Sequence, residues 1–325
     1  MVSTHSSRNL GPAGRLLHRF SLGRKREFRR ILRNRPDLVV ISQGDNNSGL
    51  DWMSFCQQAD LPFVVIVQCN TEAWWPGDVV TGDLARAYCA ARKVYCVSQN
   101  NLEMLEHQIG EPLSNGLVVR NPYNVSPERP PPWPAETAGW RLACVARLDP
   151  KAKGQDLLFQ VLSRPRWQER SVEVNLYGTG PCEGNLRRLA EHLKLKMVRF
   201  RGHVSNITAI WEQNHLLLLP SRAEGLPLAL VEAMWCGRPA VVTDIGGNCE
   251  LCVDGETGFV AAAPSVALLE QTMEVAWARR GEWQRMGNAA LSHVAQLIST
   301  DPIGDFSRQL SESASARPTG NLQFS

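Results

Sequence analysis

Short apolar runs alternate with segments of helical periodicity along most of the chain. In the first half the pattern predicts strands at 37–42, 62–69, 94–98 and 117–122, and helices at 24–34, 82–92 and 99–109. The second half predicts strands at 141–146, 172–178, 197–202, 215–221, 239–244 and 258–262, and helices at 155–163, 184–195, 227–236 and 266–279. Strands that alternate with helices indicate parallel sheets with helices on both faces.

A proline-rich segment, 126-SPERPPPWPAETAG-139, interrupts this alternation. Proline has no amide donor and stiffens the chain, so the segment is typical of an inter-domain connection. We therefore predict an α/β protein of two Rossmann-like domains, at 1–125 and 140–300, with a linker at 126–139 and a C-terminal tail at 301–325. Ligands of such domains bind at the carboxyl ends of the strands, here in the cleft between the domains.

The composition of the 325 residues, 43% hydrophobic and 21% charged, is that of a soluble globular protein with room for two cores. The net charge of +3 gives no argument for a nucleic-acid partner. Residues 8–35, however, are rich in Arg and Lys and hold Glu27 as their single acid. Such a start fits contact with anionic lipid or polyanions, and equally a solvated helix that covers a sheet.

The cysteines indicate the compartment. Nine of them are scattered through apolar segments, as buried reduced thiols would be. Cys249 and Cys252 form a lone CxxC without a second pair, so we expect no zinc. No apolar run reaches the ~18 residues of a membrane span, and the N-terminus lacks the apolar core of a secretory signal. We expect a cytoplasmic protein, with peripheral contact at the inner membrane face as an open alternative.

Two cations follow the first strand of the second half, in 147-RLDPKAKGQD-156. Arg147 and Lys153 would lie at the carboxyl edge of the sheet, where the pair suits a diphosphate. The alternative is a surface loop with two solvated cations. The next strand ends in 178-GTGP-181, where Gly178 and Gly180 allow close backbone approach. This turn is shorter than a dinucleotide fingerprint and lacks the acid about twenty residues on, which disfavours a nicotinamide cofactor.

Two glutamates stand eight positions apart in 224-EGLPLALVE-232. The helix is expected to begin near Leu226 or Pro227, and its free amides form an anion site. Glu224 would precede that site and Glu232 would lie inside the helix. Carboxylates accept hydrogen bonds from sugar hydroxyls, so a nucleoside diphosphate sugar would give each glutamate a partner. The alternatives are a helix-entry acid at 224 and a polar position on a half-buried helix at 232.

Four segments together resemble the retaining GT-B glycosyltransferases of the large fourth family (glycosyl transferases group 1). They are 145-VARLDPKAKG-154, 178-GTGP-181, 224-EGLPLALVE-232 and 246-GGNCELCVDGETG-258. The resemblance implies that Arg147 and Lys153 hold the donor diphosphate, that Glu224 contacts the donor sugar and that Glu232 contacts the ribose. Amides around Gly225, Leu226 and Leu228 would complete the phosphate cradle, and His203 and Val204 would meet the base.

The first half departs from the family pattern. About 36 residues precede its first predicted strand, and 11-GPAG-14 follows no strand, so this domain looks shortened at its start. Gln68 stands where family members often have a histidine, which makes Gln68 and Asn70 weaker acceptor-side candidates. Trp74 and Trp75 in 72-EAWWPGD-78 would either stack on an acceptor sugar or cap the core, and we favour the core.

The function implied by the resemblance is transfer of a sugar from a nucleoside diphosphate sugar to an unknown acceptor, with retention of configuration. The acceptor would be a sugar, a lipid or a polysaccharide. No metal or other cofactor is required by the front-face reaction of the family, in which the leaving phosphate takes the acceptor's proton. The alternative is a non-catalytic nucleotide-sugar-binding protein or an inactive remnant, because the donor half matches the family and the acceptor half does not.

Overall fold

The computed structural model describes residues 25–46, 48–135 and 139–315. They divide into two compact units. Unit 1 comprises the described residues up to Val97, Asn101–Val119 and the described residues from Gly304, and unit 2 comprises Ser98–Asn100 and Arg120–Ile303. The basic start before residue 25, including 11–14, lies outside the described residues.

The helices and strands follow one another along the chain as predicted for an α/β protein. In chain order they are α1 Lys25–Asn34, β1 Val39–Gln43, α2 Leu50–Gln58, β2 Phe63–Val67, α3 Asp78–Ala90, β3 Lys93–Cys96, α4 Gln99–Ile109, β4 Gly116–Val118, β5 Trp140–Val145, α5 Pro150–Lys153, α6 Gln155–Leu162, α7 Pro165–Gln168, β6 Val172–Tyr177, α8 Glu183–His192, β7 Val198–Gly202, α9 Ile207–Trp211, β8 Leu216–Leu219, α10 Leu228–Trp235, β9 Ala240–Thr243, α11 Asn248–Leu251, β10 Gly258–Ala261, α12 Val266–Ala278, α13 Trp283–Leu297 and α14 Pro302–Ser315.

Unit 1 is built on a parallel sheet in the order β1-β2-β3-β4. Every residue of β2 is buried, which explains its unbroken apolar sequence, because helices cover both faces of the sheet. On one face Phe28 of α1 stacks on Phe55 of α2. On the other face Phe306 of α14 packs edge-on against Tyr95 of β3. The predicted tail at 301–325 therefore includes a helix that covers this sheet.

Unit 2 is built on six parallel strands in the order β10-β9-β8-β5-β6-β7. The chain runs outward from β5 through β6 and β7, and then returns to place β8 on the other side of β5. This reversal is a topological switch point between β5 and β8, where ligands of open α/β sheets bind at the carboxyl ends of the strands. The loops that leave these two strands contain Arg147, Lys153 and Glu224.

The proline-rich segment before β5 packs on unit 2. Trp133 lies against the unit 2 core and meets the ring of His215 edge-on. The carbonyl of Pro132 accepts a hydrogen bond of 2.6 Å from the buried guanidinium of Arg238. Trp133 thus anchors the proline-rich segment to the core of unit 2.

The predicted alternation and all ten predicted strands are confirmed, with ends that differ by a few residues. The helices at Leu50–Gln58, Trp283–Leu297 and Pro302–Ser315 were not predicted. All nine cysteines are free thiols, and Cys89 and Cys249 are exposed rather than buried. Within the described ranges, the helices are all too short or too polar to cross a membrane.

Candidate functional site

The carboxyl ends of β5 and β8 bring Lys153 and Glu224 into contact. The Lys153 ammonium lies 2.7 Å from Oε1 of Glu224, although 71 positions separate the two residues. The Glu224 side chain is only 5% exposed and that of Lys153 is 22% exposed. A carboxylate this deeply buried needs a charged or donating partner, and Lys153 supplies one. The sequence-based expectation that both residues serve one site is consistent with this contact.

Ser221 is a second partner of the same carboxylate oxygen. Its hydroxyl, fully buried at the end of β8, donates to Oε1 of Glu224 at 2.7 Å. The Ser221 carbonyl accepts from the hydroxyl of Thr243 at the end of β9, at 2.6 Å. The neighbouring strand end therefore fixes Ser221, which in turn orients Glu224.

Two glycines let the loops around Glu224 approach closely. Gly154, at φ 64°, joins α5 to α6, and a Cβ there would collide with the carbonyl oxygen of Pro220. Gly246, at φ 56°, presses against the carbonyl of Glu224. Both positions combine a left-handed backbone with contact to other backbone atoms, a combination that glycine alone tolerates. Gly246, the first glycine of the GG motif, thus shapes the Glu224 loop.

Arg147 lies apart from the Lys153–Glu224 pair. Its side chain is 63% exposed and donates to Asp149 at 2.8 Å. Its backbone is fixed from below, because the buried amide of Gln155 donates to the Arg147 carbonyl at 2.8 Å. A long exposed cation on a fixed backbone can turn toward an anion beside β5.

The second glutamate lies on α10. Pro227 precedes the helix as its N-cap, so the helix begins at Leu228 rather than at the predicted 226 or 227. The backbone amides of Leu230 and Val231 bond to the Pro227 carbonyl. The first amides of a helix have no acceptor within the helix itself. Glu232, one turn further on, is only 4% exposed. The alternative of a polar position on a half-buried helix is therefore wrong, because Glu232 and most of its neighbours on α10 are buried.

Glu232 is held by the segment that follows β4. The backbone amide and the side-chain amide of Asn124 both donate to Oε1 of Glu232, each at 3.0 Å. Burial raises the pKa of Glu232, and these two hydrogen bonds oppose the rise. Asn124 itself is exposed, so it covers a buried carboxylate from the solvent side.

The remaining predicted donor-side residues lie at the ends of β6 and β7. The amide of Gly178 donates to the carbonyl of Gly202 at 2.7 Å, which brings the two strand ends together. Gly180 packs against the backbone of Leu148, in the loop that carries Arg147. His203 is exposed directly after β7, and Val204 is half-buried beside it. The backbone around 178–180 therefore borders the Arg147 loop.

The acceptor-side candidates belong to a network of amide side chains in unit 1. Asn70 is buried, and its amide donates to Oε1 of Gln108 at 2.7 Å. The amide of Asn46 donates to the same oxygen at 2.6 Å, and Gln108 donates to the Thr71 carbonyl at 2.8 Å. Gln68 is half-buried at the end of β2, with its backbone amide on the Gln43 carbonyl at 3.0 Å. Asn70 thus supports the loop that follows β2.

The two adjacent tryptophans are not part of a core. Trp74 is 37% and Trp75 is 60% exposed, so the expectation that they cap the core is wrong. Trp74 ends a single 3-10 turn, Glu72–Trp74, and Trp75 follows it; the hydroxyl of Thr71 caps the turn by accepting from the Ala73 amide. The carbonyl of Trp74 is within 3.4 Å of the Asn46 amide. The amide network below holds this turn, and the indoles face outward.

Three residues that contact the candidate site were missed from the sequence: Ser221, Asn124 and Gln155. Each acts through a partner far away in sequence or through a backbone carbonyl, which periodicity does not reveal. Asn124 carried one signal, since it follows the last strand of the first half in 121-NPYN-124. Within 25–46, 48–135 and 139–315, His, Cys, Asp and Glu form no group of three or more suited to a metal ion.

Comparisons with known proteins show which sequences this chain resembles. The family model "Glycosyl transferases group 1" matches residues 139–277. Glycogen synthase of Mycobacterium tuberculosis is 28% identical over 256 residues, which are 72% of this chain and 58% of that protein. N-acetyl-alpha-D-glucosaminyl L-malate synthase of Bacillus anthracis is 33% identical over 93 residues, 28% of this chain and 24% of that protein. The chain therefore spans little more than half the length of the longer match.

Solved structures show the same fold. The Anabaena protein Alr3699/HepE, solved with UDP and glucose, superposes with a TM-score of 0.72 at 19% identity, over 90% of this chain and 83% of that one. A glycosyltransferase from Rickettsia africae superposes with a TM-score of 0.72 at 15% identity, over 97% and 84% of the two chains. The chain thus has the GT-B fold, and its residues 139–277 match the glycosyl transferases group 1 family model.

Proposed function

We propose that this protein is a retaining glycosyltransferase that moves a sugar from a nucleoside diphosphate sugar to a sugar, lipid or polysaccharide acceptor. The observation that carries the proposal is the arrangement at the switch point of unit 2. A buried glutamate pairs with a lysine there, directly before a helix that carries a second buried glutamate. The family match of residues 139–277 and the UDP bound to a structurally similar protein support it.

The donor diphosphate would bind to Arg147, Lys153 and the amides around Gly225, Leu226 and Leu228. Lys153 is now neutralised by Glu224, at 2.7 Å, and a diphosphate would compete for the same ammonium. If Lys153 binds the diphosphate as well, Glu224 keeps its hydrogen bond from Ser221. The carboxylate oxygens of Glu224 can then also accept hydrogen bonds from the sugar hydroxyls. Repulsion keeps both glutamates away from the phosphates, so each is suited to hydroxyl groups instead.

The nucleoside would lie toward β6 and β7. Glu232 would accept from the ribose, the backbone at Gly178 and Gly180 would allow close approach, and His203 and Val204 would border the base. Gln68 and Asn70 would be the acceptor-side residues of unit 1. Contact of the basic N-terminal residues with a membrane surface belongs to the same proposal.

In the proposed reaction the bond between the anomeric carbon and the leaving phosphate oxygen breaks while the acceptor oxygen bonds to the same face of that carbon. The acceptor proton passes to the leaving phosphate. Arg147 and Lys153 stabilise the charge that develops on the diphosphate, which is the usual large contribution of a preorganised site. Glu224 orients the sugar, so catalysis rests on position and electrostatics and needs neither a protein nucleophile nor a metal ion.

The test combines binding with turnover. We would titrate the full chain calorimetrically with UDP-, GDP- and ADP-sugars, and follow donor hydrolysis and transfer to a panel of saccharides. We expect one donor to bind and to turn over, and the anomeric NMR signals of the product to match those of the donor. An inverted product would contradict retention. Binding without turnover would favour the non-catalytic alternative, and absence of binding by every nucleotide would contradict the proposed function.

A further inference from the structure

The segment 120–125, which follows β4, is fixed against unit 2 by contacts that do not involve Glu232. Arg120 forms an ion pair of 2.8 Å with Glu250. The ring of Tyr123 lies 5.6 Å from that of Trp235, at the end of α10, and its hydroxyl donates to the Ser299 carbonyl at 3.2 Å. Val125 is buried. Asn124 therefore sits on an anchored backbone and does not depend on Glu232 for its position.

Asn124 uses this position to hold a single oxygen of the Glu232 carboxylate. Its backbone amide and its side-chain amide both donate to Oε1, each at 3.0 Å. An ionised carboxylate offers about four lone-pair sites over two oxygens. Two donors on Oε1 fix the rotation of the group, and they leave Oε2 for a further donor.

Burial and the Asn124 hydrogen bonds act in opposite directions on the pKa of Glu232. The side chain is 4% exposed, and burial disfavours its charge. The two Asn124 hydrogen bonds stabilise the charged form and so oppose burial. Cys236, which follows the last residue of α10, also interacts electrostatically with Glu232, and burial raises the pKa of its thiol to about 12, so the thiol stays neutral. Asn124 therefore supplies the stabilisation that a buried acceptor for hydroxyl groups requires.

We propose that Asn124 is a positioning residue that orients Glu232 so that its free oxygen accepts a hydrogen bond from the nucleotide ribose. The inference rests on the proposed function, in which Glu232 meets the ribose. Asn124 itself does not touch the reacting atoms. It acts by presenting a rotationally fixed carboxylate.

The test compares a ribonucleotide with its deoxy analogues. We would measure calorimetrically the affinity of the full chain for the best-binding nucleoside diphosphate among UDP, GDP and ADP, and for its 2′-deoxy and 3′-deoxy forms. A hydrogen bond to a charged acceptor corresponds to about tenfold in affinity or more, so we expect the wild type to prefer the ribonucleotide over at least one deoxy form by that factor. In Asn124→Ala we expect this preference to collapse to about twofold, because the ribonucleotide weakens and the deoxy form does not.

Matched variants separate positioning from damage to the fold. Asn124 is exposed, so Asn124→Ala leaves no core cavity, and Ser126→Ala on the same segment serves as the exposed control. Asn124→Asp keeps the backbone donor but sets a second carboxylate beside Glu232. Like charge disfavours ionisation of Glu232, so we expect the ribonucleotide affinity of this variant to fall further as pH is lowered from 8 to 6, while the deoxy affinity stays constant.

Two results would overturn the inference. An unchanged preference for the ribonucleotide in Asn124→Ala would mean that Asn124 does not orient Glu232. Tighter ribonucleotide binding in that variant would mean that Asn124 competes with the ribose for Glu232. If the wild type binds none of the three nucleoside diphosphates, the proposed function fails instead, so the two failures are distinguishable.

Discussion

Both units are parallel α/β sheets, but they use their polar side chains differently at the carboxyl ends of the strands. In unit 2, Lys153 and Glu224 are charged and lie in contact after two strand ends, and Ser221 donates to the same glutamate. A second buried glutamate, Glu232, lies on the next helix. In unit 1 the polar side chains are amides, with Asn46, Asn70 and Gln108 bonded to one another under an exposed tryptophan turn. Buried charges that lie at a switch point are suited to an ionic ligand, whereas amides that donate to loop carbonyls support a loop.

The largest expected effect concerns the charged side of this comparison. Glu224→Gln keeps the size of the side chain but removes the charge that faces Lys153. Loss of one preorganised group at a reacting centre lowers turnover by about 10²–10³-fold, and we expect that range in a donor-hydrolysis or transfer assay. Glu256→Gln makes the same substitution at an exposed position of unit 2 and should leave turnover unchanged. Full activity of Glu224→Gln would remove Glu224 from the site.

A substitution of Arg238 tests whether the stability of unit 2 also depends on a buried charge. Its guanidinium is 2% exposed and donates to the carbonyls of four residues, Pro132, Trp211, Asn214 and Cys236. Arg238→Met leaves these carbonyls without donors, so we expect a loss of about 3–5 kcal/mol in the free energy of unfolding. Urea titration would measure it, and amide exchange should place the loss in unit 2. The exposed Arg166→Met is the matched control.

Gln108 is the corresponding test for unit 1. Its side chain accepts from Asn46 and Asn70 and is 2% exposed. Gln108→Leu removes the acceptor that two buried amide groups share, and we expect a loss of about 2–4 kcal/mol in the free energy of unfolding. Nucleotide affinity, measured by calorimetry, should not change. A change in nucleotide affinity without a loss of unit 1 stability would contradict the division of roles between the units.

His215 makes the free energy of unfolding of unit 2 depend on pH. Burial lowers its pKa to about 4 in the folded protein, against the usual 6.5 when unfolded. A lowered pKa of a basic group means that the unfolded state binds the proton first, so stability is full above pH 6.5 and is lost as pH falls toward 4. Between pH 6.5 and 5 we expect a loss of about 1–2 kcal/mol, measured by urea titration at several pH values. His215→Phe should flatten this part of the profile.

The smallest expected effect is on the exposed indole of unit 1. Trp75 is 60% exposed, so Trp75→Ala should change the free energy of unfolding by less than about 0.5 kcal/mol and leave nucleotide affinity unchanged. Denaturant titration and calorimetry would check both. A large loss of stability would mean that the indole packs in a core after all.

Local sequence patterns predicted the elements of both units, but not the contacts between residues that are distant in sequence. Runs such as 216-LLLL-219 and the turn before α10 are local patterns, and they sufficed to predict the strands and to place Glu224 and Glu232 at a strand end and inside a helix. The contacts of Ser221 with Thr243 and of Asn124 with Glu232 join residues 22 and 108 positions apart. Such contacts arise from topology, which periodicity does not encode.

The exposed tryptophans Trp74 and Trp75 are a second feature that periodicity could not predict. Two adjacent indoles fit the composition of a core segment, and the sequence left open whether they pack in a core or stack on a sugar. Their exposure follows from the hydrogen bonds below, where Gln108 and Asn46 hold the carbonyls of Thr71 and Trp74. Those partners lie 37 and 28 positions away.

The most direct test of the central claim is a crystal structure of the full chain with the nucleoside diphosphate that binds it best. We predict that the diphosphate lies beside Arg147 and Lys153 at the end of β5, that the ribose bonds to Oε2 of Glu232, and that Asn124 keeps its hold on Oε1. A nucleotide bound away from the carboxyl ends of β5 and β8, with the Lys153–Glu224 pair and Glu232 untouched, would contradict the account.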